Sequence, residues 1–118
     1  MLKNTNSPSR RQTPSPRQQI DFRAINTVAL RSAEDVCRWL LPNGRRAGRE
    51  YLALNPKRAD HTVGSFKINL TSGVWKDFSS GDGGGDLIAL TAWALDLHQG
   101  EAARRLAAFL GISTEVQP

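Results

Sequence analysis

The sequence is poor in the residues that build disulfides and metal centres, with one cysteine and two histidines in 118 residues. A lone thiol makes no internal disulfide, which excludes a disulfide-built secreted scaffold and fits a reducing compartment. That thiol, Cys37, sits in the apolar run Val36-Cys37-Arg38-Trp39-Leu40-Leu41 with no histidine and carboxylate set around it. It reads as a small buried hydrophobe rather than a nucleophile. No apolar stretch approaches the ~20 residues of a membrane span, and the polar N-terminus lacks the apolar centre of a signal peptide. A soluble, cytoplasmic chain with no membrane partner is expected. Acidic residues are absent from residues 1–20 and scarce up to residue 60, where twelve Lys or Arg face five Asp or Glu. Residues 61–118 carry four against six, for an overall net charge of +5. A basic half of this kind favours an anionic partner, of which nucleic acid is the commonest.

The length allows one domain. Residues 1–20, rich in Ser, Pro, Gln, Asn and Arg, have almost nothing to bury. Such a segment does not offset its ordering entropy, so a disordered basic tail is expected there. The domain is then expected over 21–113, with a short tail over 114–118.

From Asp21 to Leu41 the apolar positions Phe22, Ile25, Val28, Ala29, Ala33, Val36, Cys37, Leu40 and Leu41 recur at helical steps. Asp21 is a candidate N-cap. Ser32 with Asp35 three residues on has capping-box spacing and predicts a fresh helix from about Ala33. Leu41-Pro42-Asn43-Gly44 stops it. Glu50–Leu54 reads as a short extended run. Ser65–Leu70 alternates, with Phe66, Ile68 and Leu70 facing opposite to Lys67 and Asn69. Thr71-Ser72-Gly73 is a hairpin turn, and Val74–Phe78 is its return strand. Ser79–Gly85 is a loop, Asp86 an N-cap for an apolar helix over Leu87–Leu95, and Gly111 the C-cap of a helix over Gln99–Leu110. The predicted fold class is α+β: an N-terminal helix, a small antiparallel sheet, then two helices.

These pieces, in this order, resemble the N-terminal zinc-binding domain of bacterial DnaG-type primases. They are closer still to the degenerate versions in primase-helicase proteins of phages, plasmids and integrated elements. The resemblance rests on Asp35–Leu41, Gly44–Leu54, Asn55-Pro56, Ser65-Phe66, Trp75–Phe78, Gly84-Gly85-Asp86 and Glu101–Ile112, about two-thirds of the chain. It implies a zinc-ribbon-like sheet that binds single-stranded template DNA, with polymerase carboxylates in a separate downstream domain. It also places the family's metal ligands at Asn55, Arg58, Asp77 and Ser80. None of the four is a thiolate or an imidazole, whereas a structural zinc site needs four such donors. No zinc and no other cofactor is therefore expected. The missing folding energy would come from packing of Trp75, Phe78, Phe66 and Trp93, or from an Arg58–Asp77 salt bridge across the old site. His61 and His98 read as isolated surface residues.

Arg45, Arg46 and Arg49 lie in and after the first turn, Lys57 and Arg58 follow the next strand, and Lys67 and Lys76 point outward from the hairpin. Tyr51 and Trp75 are the candidate stacking rings. Cations beside aromatics on a small sheet suit single-stranded nucleic acid, with phosphates on Arg and Lys and bases on rings. The bland alternative makes both rings core residues and the charges a solvated rim. The Gly81–Gly85 loop lacks the Gly-Lys-Ser/Thr ending of a phosphate loop and carries Asp82 and Asp86, so it reads as a turn. Asp77, Asp82 and Asp86 are better explained as turn and cap residues than as a catalytic cluster, so no enzymatic activity is expected of this chain alone. Two functions follow. One is a non-catalytic, single-stranded-DNA-binding module of a primase or replication system. The other is a protein-interaction adaptor docking a helicase, primase or polymerase of a mobile element.

Overall fold

The computed structural model describes residues 19–57 and 65–115. The tails expected at the two ends lie almost entirely outside them, as do Arg58 and His61. Helix α1 spans Phe22–Arg31 and α2 Ala33–Leu40. The Asp21 carboxylate caps α1 by accepting the Ala24 N–H at 3.0 Å. Ser32 marks the predicted restart, but its side chain makes no cap bond. The break is held instead by backbone: the Ser32 N–H donates to the Ala29 carbonyl at 3.0 Å and closes α1.

A five-stranded antiparallel meander follows: β1 Arg45–Ala47, β2 Glu50–Ala53, β3 Phe66–Asn69, β4 Trp75–Asp77 and β5 Gly83–Gly84, side by side in chain order. The fold class is α+β, as the alternation of apolar residues predicts. The two outermost strands are additions to that reading. Arg45–Ala47, taken as part of a basic turn, is an edge strand, and the glycine loop lays Gly83 and Gly84 along β4. A Cβ on Gly84 would lie 2.7 Å from the Trp75 ring, so the edge strand needs glycine there to lie flat on the indole. The predicted hairpin is present. The Asn69 side-chain oxygen accepts the N–H groups of Thr71 and Ser72, and Gly73 supplies a φ of +81°.

Helices α3, Leu87–Leu95, and α4, Gln99–Leu110, cover one face of the sheet together with α1 and α2. Asp86 caps α3 through the Ala89 N–H at 2.8 Å, and Gly111 ends α4 with a φ of +73°. Period-two alternation puts Tyr51, Ala53, Phe66, Ile68 and Trp75 on the covered face, all buried against Val36, Leu87, Leu90 and Leu106. Phe66, Trp75 and Trp93 form one aromatic cluster with ring centroids 5.2–6.2 Å apart. The chain ends of this unit are tied: Asp21 N–H donates to the Thr114 carbonyl at 2.8 Å, and Ile20 bridges Glu115. Among the described residues, no helix is long and apolar enough to cross a membrane.

Candidate nucleic-acid interface

The face of the sheet turned away from the helices carries the charge. Residues paired across antiparallel strands share a face, so the register can be followed across the sheet. Arg45 pairs Leu52, Leu52 pairs Lys67, Lys67 pairs Lys76 and Lys76 pairs Gly83. This single transverse row holds three cations and no acid. Lys67 and Lys76 stand directly opposite one another, an arrangement that costs stability between like charges. Among the described residues, neither lysine nor Arg45 has an ion-pair partner.

Beside the row sits an exposed ring. Phe78 follows Lys76 by two residues and is 64% exposed. The Lys67 and Lys76 ammonium groups lie 5.9 and 5.5 Å from its centroid. Its backbone is held by the Phe78 N–H donating to the Ser65 carbonyl at 2.9 Å. The sequence reading placed Phe78 in the core, and this is corrected. The signal was present, since strict alternation puts Phe78 with Lys76 and opposite to Trp75.

The two proposed stacking rings face the other way. Tyr51 is fully buried, with its hydroxyl donating to the Leu41 carbonyl at 2.7 Å. Gly44 packs so closely beneath it that a Cβ there would lie 2.5 Å from the ring. Trp75 is 3% exposed and donates its indole N–H to the Asp86 carbonyl at 3.1 Å. Both rings belong to the core because they occupy the covered phase of β2 and β4, and neither presents a face to a ligand.

The remaining cations divide. Arg46 pairs with Tyr51 in the register, hence points to the helix side, and binds Glu34 at 3.0 Å and the Gly48 carbonyl at 2.8 Å. Glu34 also binds Arg38, and these two hydrogen-bonded guanidinium groups, Arg38 first, hold its carboxyl below the usual carboxylate range. Lys57 pairs with Asp96, and its ammonium lies 5.3 Å from the Trp93 ring centroid. Arg49 is exposed in the β1–β2 turn and lines a cleft with Arg31, Arg46 and Thr71. Cys37 is fully buried. Burial, with a smaller effect from Glu34, pushes its thiol up to about 12, which suits a core residue and not a nucleophile.

Of the implied ligand positions, Asn55, Asp77 and Ser80 lie at one end of the sheet. Ala53, Phe66 and Asp77 stand side by side across β2, β3 and β4, and Asn55 lies two residues beyond Ala53. Asn55 and Asp77 are buried, at 1% and 0% exposure. The Asn55 side-chain N–H donates to Asp77 Oδ2 at 2.7 Å, and the Ser79 N–H donates to Asp77 Oδ1 at 2.8 Å. The expected Arg58–Asp77 salt bridge lies outside the described residues.

Burial opposes the charge on Asp77. The Asn55 amide, the Ser79 N–H and the Ser65 and Ser80 hydroxyls outweigh it and hold the carboxyl below its ordinary 3.8. A depressed folded-state pKa contributes stability that is present above the unfolded value and is lost as pH falls through the folded one. Urea unfolding at pH 7, 5, 4 and 3 should therefore show wild type more stable than Asp77→Asn at neutral pH. That gap should close below about pH 4. A gap that stays constant to pH 3 would mean the carboxylate charge contributes nothing.

No protein-family model matches the chain, and no curated protein is significantly similar to it. Among solved structures, the primase of Aquifex aeolicus, comprising its zinc-binding and RNA polymerase domains, is similar with a TM-score of 0.62 and 25% identity. The match covers 80% of this chain and 22% of that one, so the chain spans under a quarter of the primase's length. The fold is primase-like.

Proposed function

We propose that this chain is a non-catalytic, single-stranded-DNA-binding module of a DNA primase or replication system, built on a degenerate ribbon of the kind carried by mobile elements. The observation that carries the reading is the Arg45–Lys67–Lys76 row beside Phe78. Three cations without an ion-pair partner among the described residues offer phosphates a track across the sheet, and an exposed ring beside it offers a base a stacking face. The likeness to a primase with a zinc-binding domain supports the choice of nucleic acid over other anions. Among the described residues, no three His, Cys, Asp or Glu side chains cluster as a metal-holding group. On this reading, any priming chemistry belongs to a partner, fused or supplied in trans.

Fluorescence anisotropy with a labelled oligo(dT) tests the reading. Affinity should fall with salt, and the slope should shrink by about one for each row cation changed to Ala. Phe78→Ala should leave the melting temperature within about 2 °C of wild type. It should weaken binding about tenfold, as expected from the ~1–3 kcal/mol of a base–ring stack. Binding that is absent at low salt, or indifferent to all four side chains, would refute the module.

A second observation favours the adaptor reading as the alternative. Trp39 and Phe109 stack at 4.5 Å with 7° between their planes, and Phe109 is 41% exposed beside Arg38 and Leu110. Exposed aromatic and apolar surface of this kind suits a protein partner, here a replication helicase, primase or polymerase. Phe109→Ser should abolish a direct interaction with the purified partner while leaving oligonucleotide affinity unchanged.

A further inference from the structure

The similar primase carries a zinc-binding domain, and the residues at the ligand positions that the resemblance implies do not suit that ion. Asn55 offers an amide whose oxygen already accepts the Lys57 N–H and one of whose N–H groups goes to Asp77. Both Asp77 oxygens accept hydrogen bonds, and the Ser80 hydroxyl is a neutral donor to Asp82 Oδ2 at 3.0 Å. A structural zinc site asks for thiolates and imidazoles in a tetrahedron.

We propose that the buried Asn55–Asp77 hydrogen bond is this chain's replacement for the metal: a metal-free cross-link joining the two loops that close the ribbon. Two layers of bonding build it. Each of the two side chains first makes a turn in its own stretch of chain. Asn55 Oδ1 accepts the Lys57 N–H at 2.8 Å, and Asp77 Oδ1 accepts the Ser79 N–H at 2.8 Å, so each side chain folds its own chain back two residues on. The second loop is tightened further by backbone bonds, Gly81 N–H to the Asp77 carbonyl and Asp77 N–H to the Asp82 carbonyl, both at 2.8 Å. Between the two turns, Asn55 Nδ2 donates to Asp77 Oδ2 at 2.7 Å. This joins the end of β2 to the end of β4 across the intervening β3.

The pair is well placed to carry that load. Both side chains are sealed from water under the sheet end, where a charge-assisted hydrogen bond is stronger than at the surface. The division of labour is also chemical. A carboxylate only accepts and an amide both donates and accepts, so an Asn opposite an Asp bonds where two carboxylates would repel. The inference rests on the fold and this geometry, and not on the nucleic-acid reading above.

Two measurements test it on the full chain. Metal analysis after purification without chelator should find far less than one zinc per chain. Refolding in excess EDTA should leave the melting temperature within about 2 °C of the untreated protein. Stoichiometric zinc, or a melting temperature that collapses in EDTA, overturns the proposal. The second measurement is a double-mutant cycle of Asn55→Ala and Asp77→Ala, with Asp77→Asn in its place if the alanine variant does not fold. Each single change should lower the melting temperature by about 5–15 °C, and the double change should cost little more than the worse single one. Losses that simply add would show that the two side chains act independently, and the cross-link would be refuted.

Discussion

Changing Lys67 and Lys76 together to glutamate should weaken binding to single-stranded DNA by about 100-fold at low salt, while the fold survives. The two residues are register partners in the middle of the sheet's open face, and neither has an acidic partner among the described residues. Two attractive contacts become two repulsive ones next to Arg45 and Phe78. Stability adds a second readout, because opposed like charges across a strand pair are unfavourable by roughly 0.2–1 kcal/mol. The single change Lys76→Glu creates an opposite-charge pair with Lys67. It should stabilise the domain by up to about 1 kcal/mol while lowering affinity. A residue that improves folding when removed and impairs binding when removed is held in place by its ligand. If Lys76→Glu leaves affinity untouched, the row is a solvated surface and the adaptor reading takes precedence.

Trp75→Ala should act in the opposite way, through the fold and not through the ligand. The indole is sealed among Phe66, Trp93 and the Gly84 backbone and donates to the Asp86 carbonyl beside the cap of α3. Deleting a buried large aromatic costs about 3–5 kcal/mol, against a total of about 5–15 kcal/mol for a domain of this size. The variant should lose a third or more of its stability in urea unfolding followed by circular dichroism. Trp75→Phe should recover much of the packing and lose the indole hydrogen bond. Affinity of whatever remains folded should match wild type. Unchanged stability with lost binding would put the ring on the interface after all.

The comparison of Trp75 with Phe78 shows how far the pattern of residues reaches. Val74, Lys76 and Phe78 occupy one phase of a strand and Trp75 and Asp77 the other. The phase was legible, yet which phase meets the helices was not. Hydrophobicity alone favours burying all three aromatic and aliphatic side chains, and only the helix cover over β3 and β4 sets Phe78 and Val74 outside.

The sequence by itself determined the local elements whose causes are local. Asp21 and Asp86 cap the helices that follow them, Asn69 and Gly73 make the hairpin turn, Gly111 stops α4, and Cys37 lies where its apolar neighbours put it. Each depends on side chains within a few residues, so spacing suffices. Tertiary structure alone decided what depends on partners distant in the chain. Arg45–Ala47 and Gly83–Gly84 become strands because an edge is available to pair with them, although neither has strand propensity. Arg46 turns from the open face of the sheet to Glu34 because its register partner is the buried Tyr51. Asn55 and Asp77, 22 positions apart, meet only because three strands place their ends side by side, and that meeting closes the ribbon with a hydrogen bond.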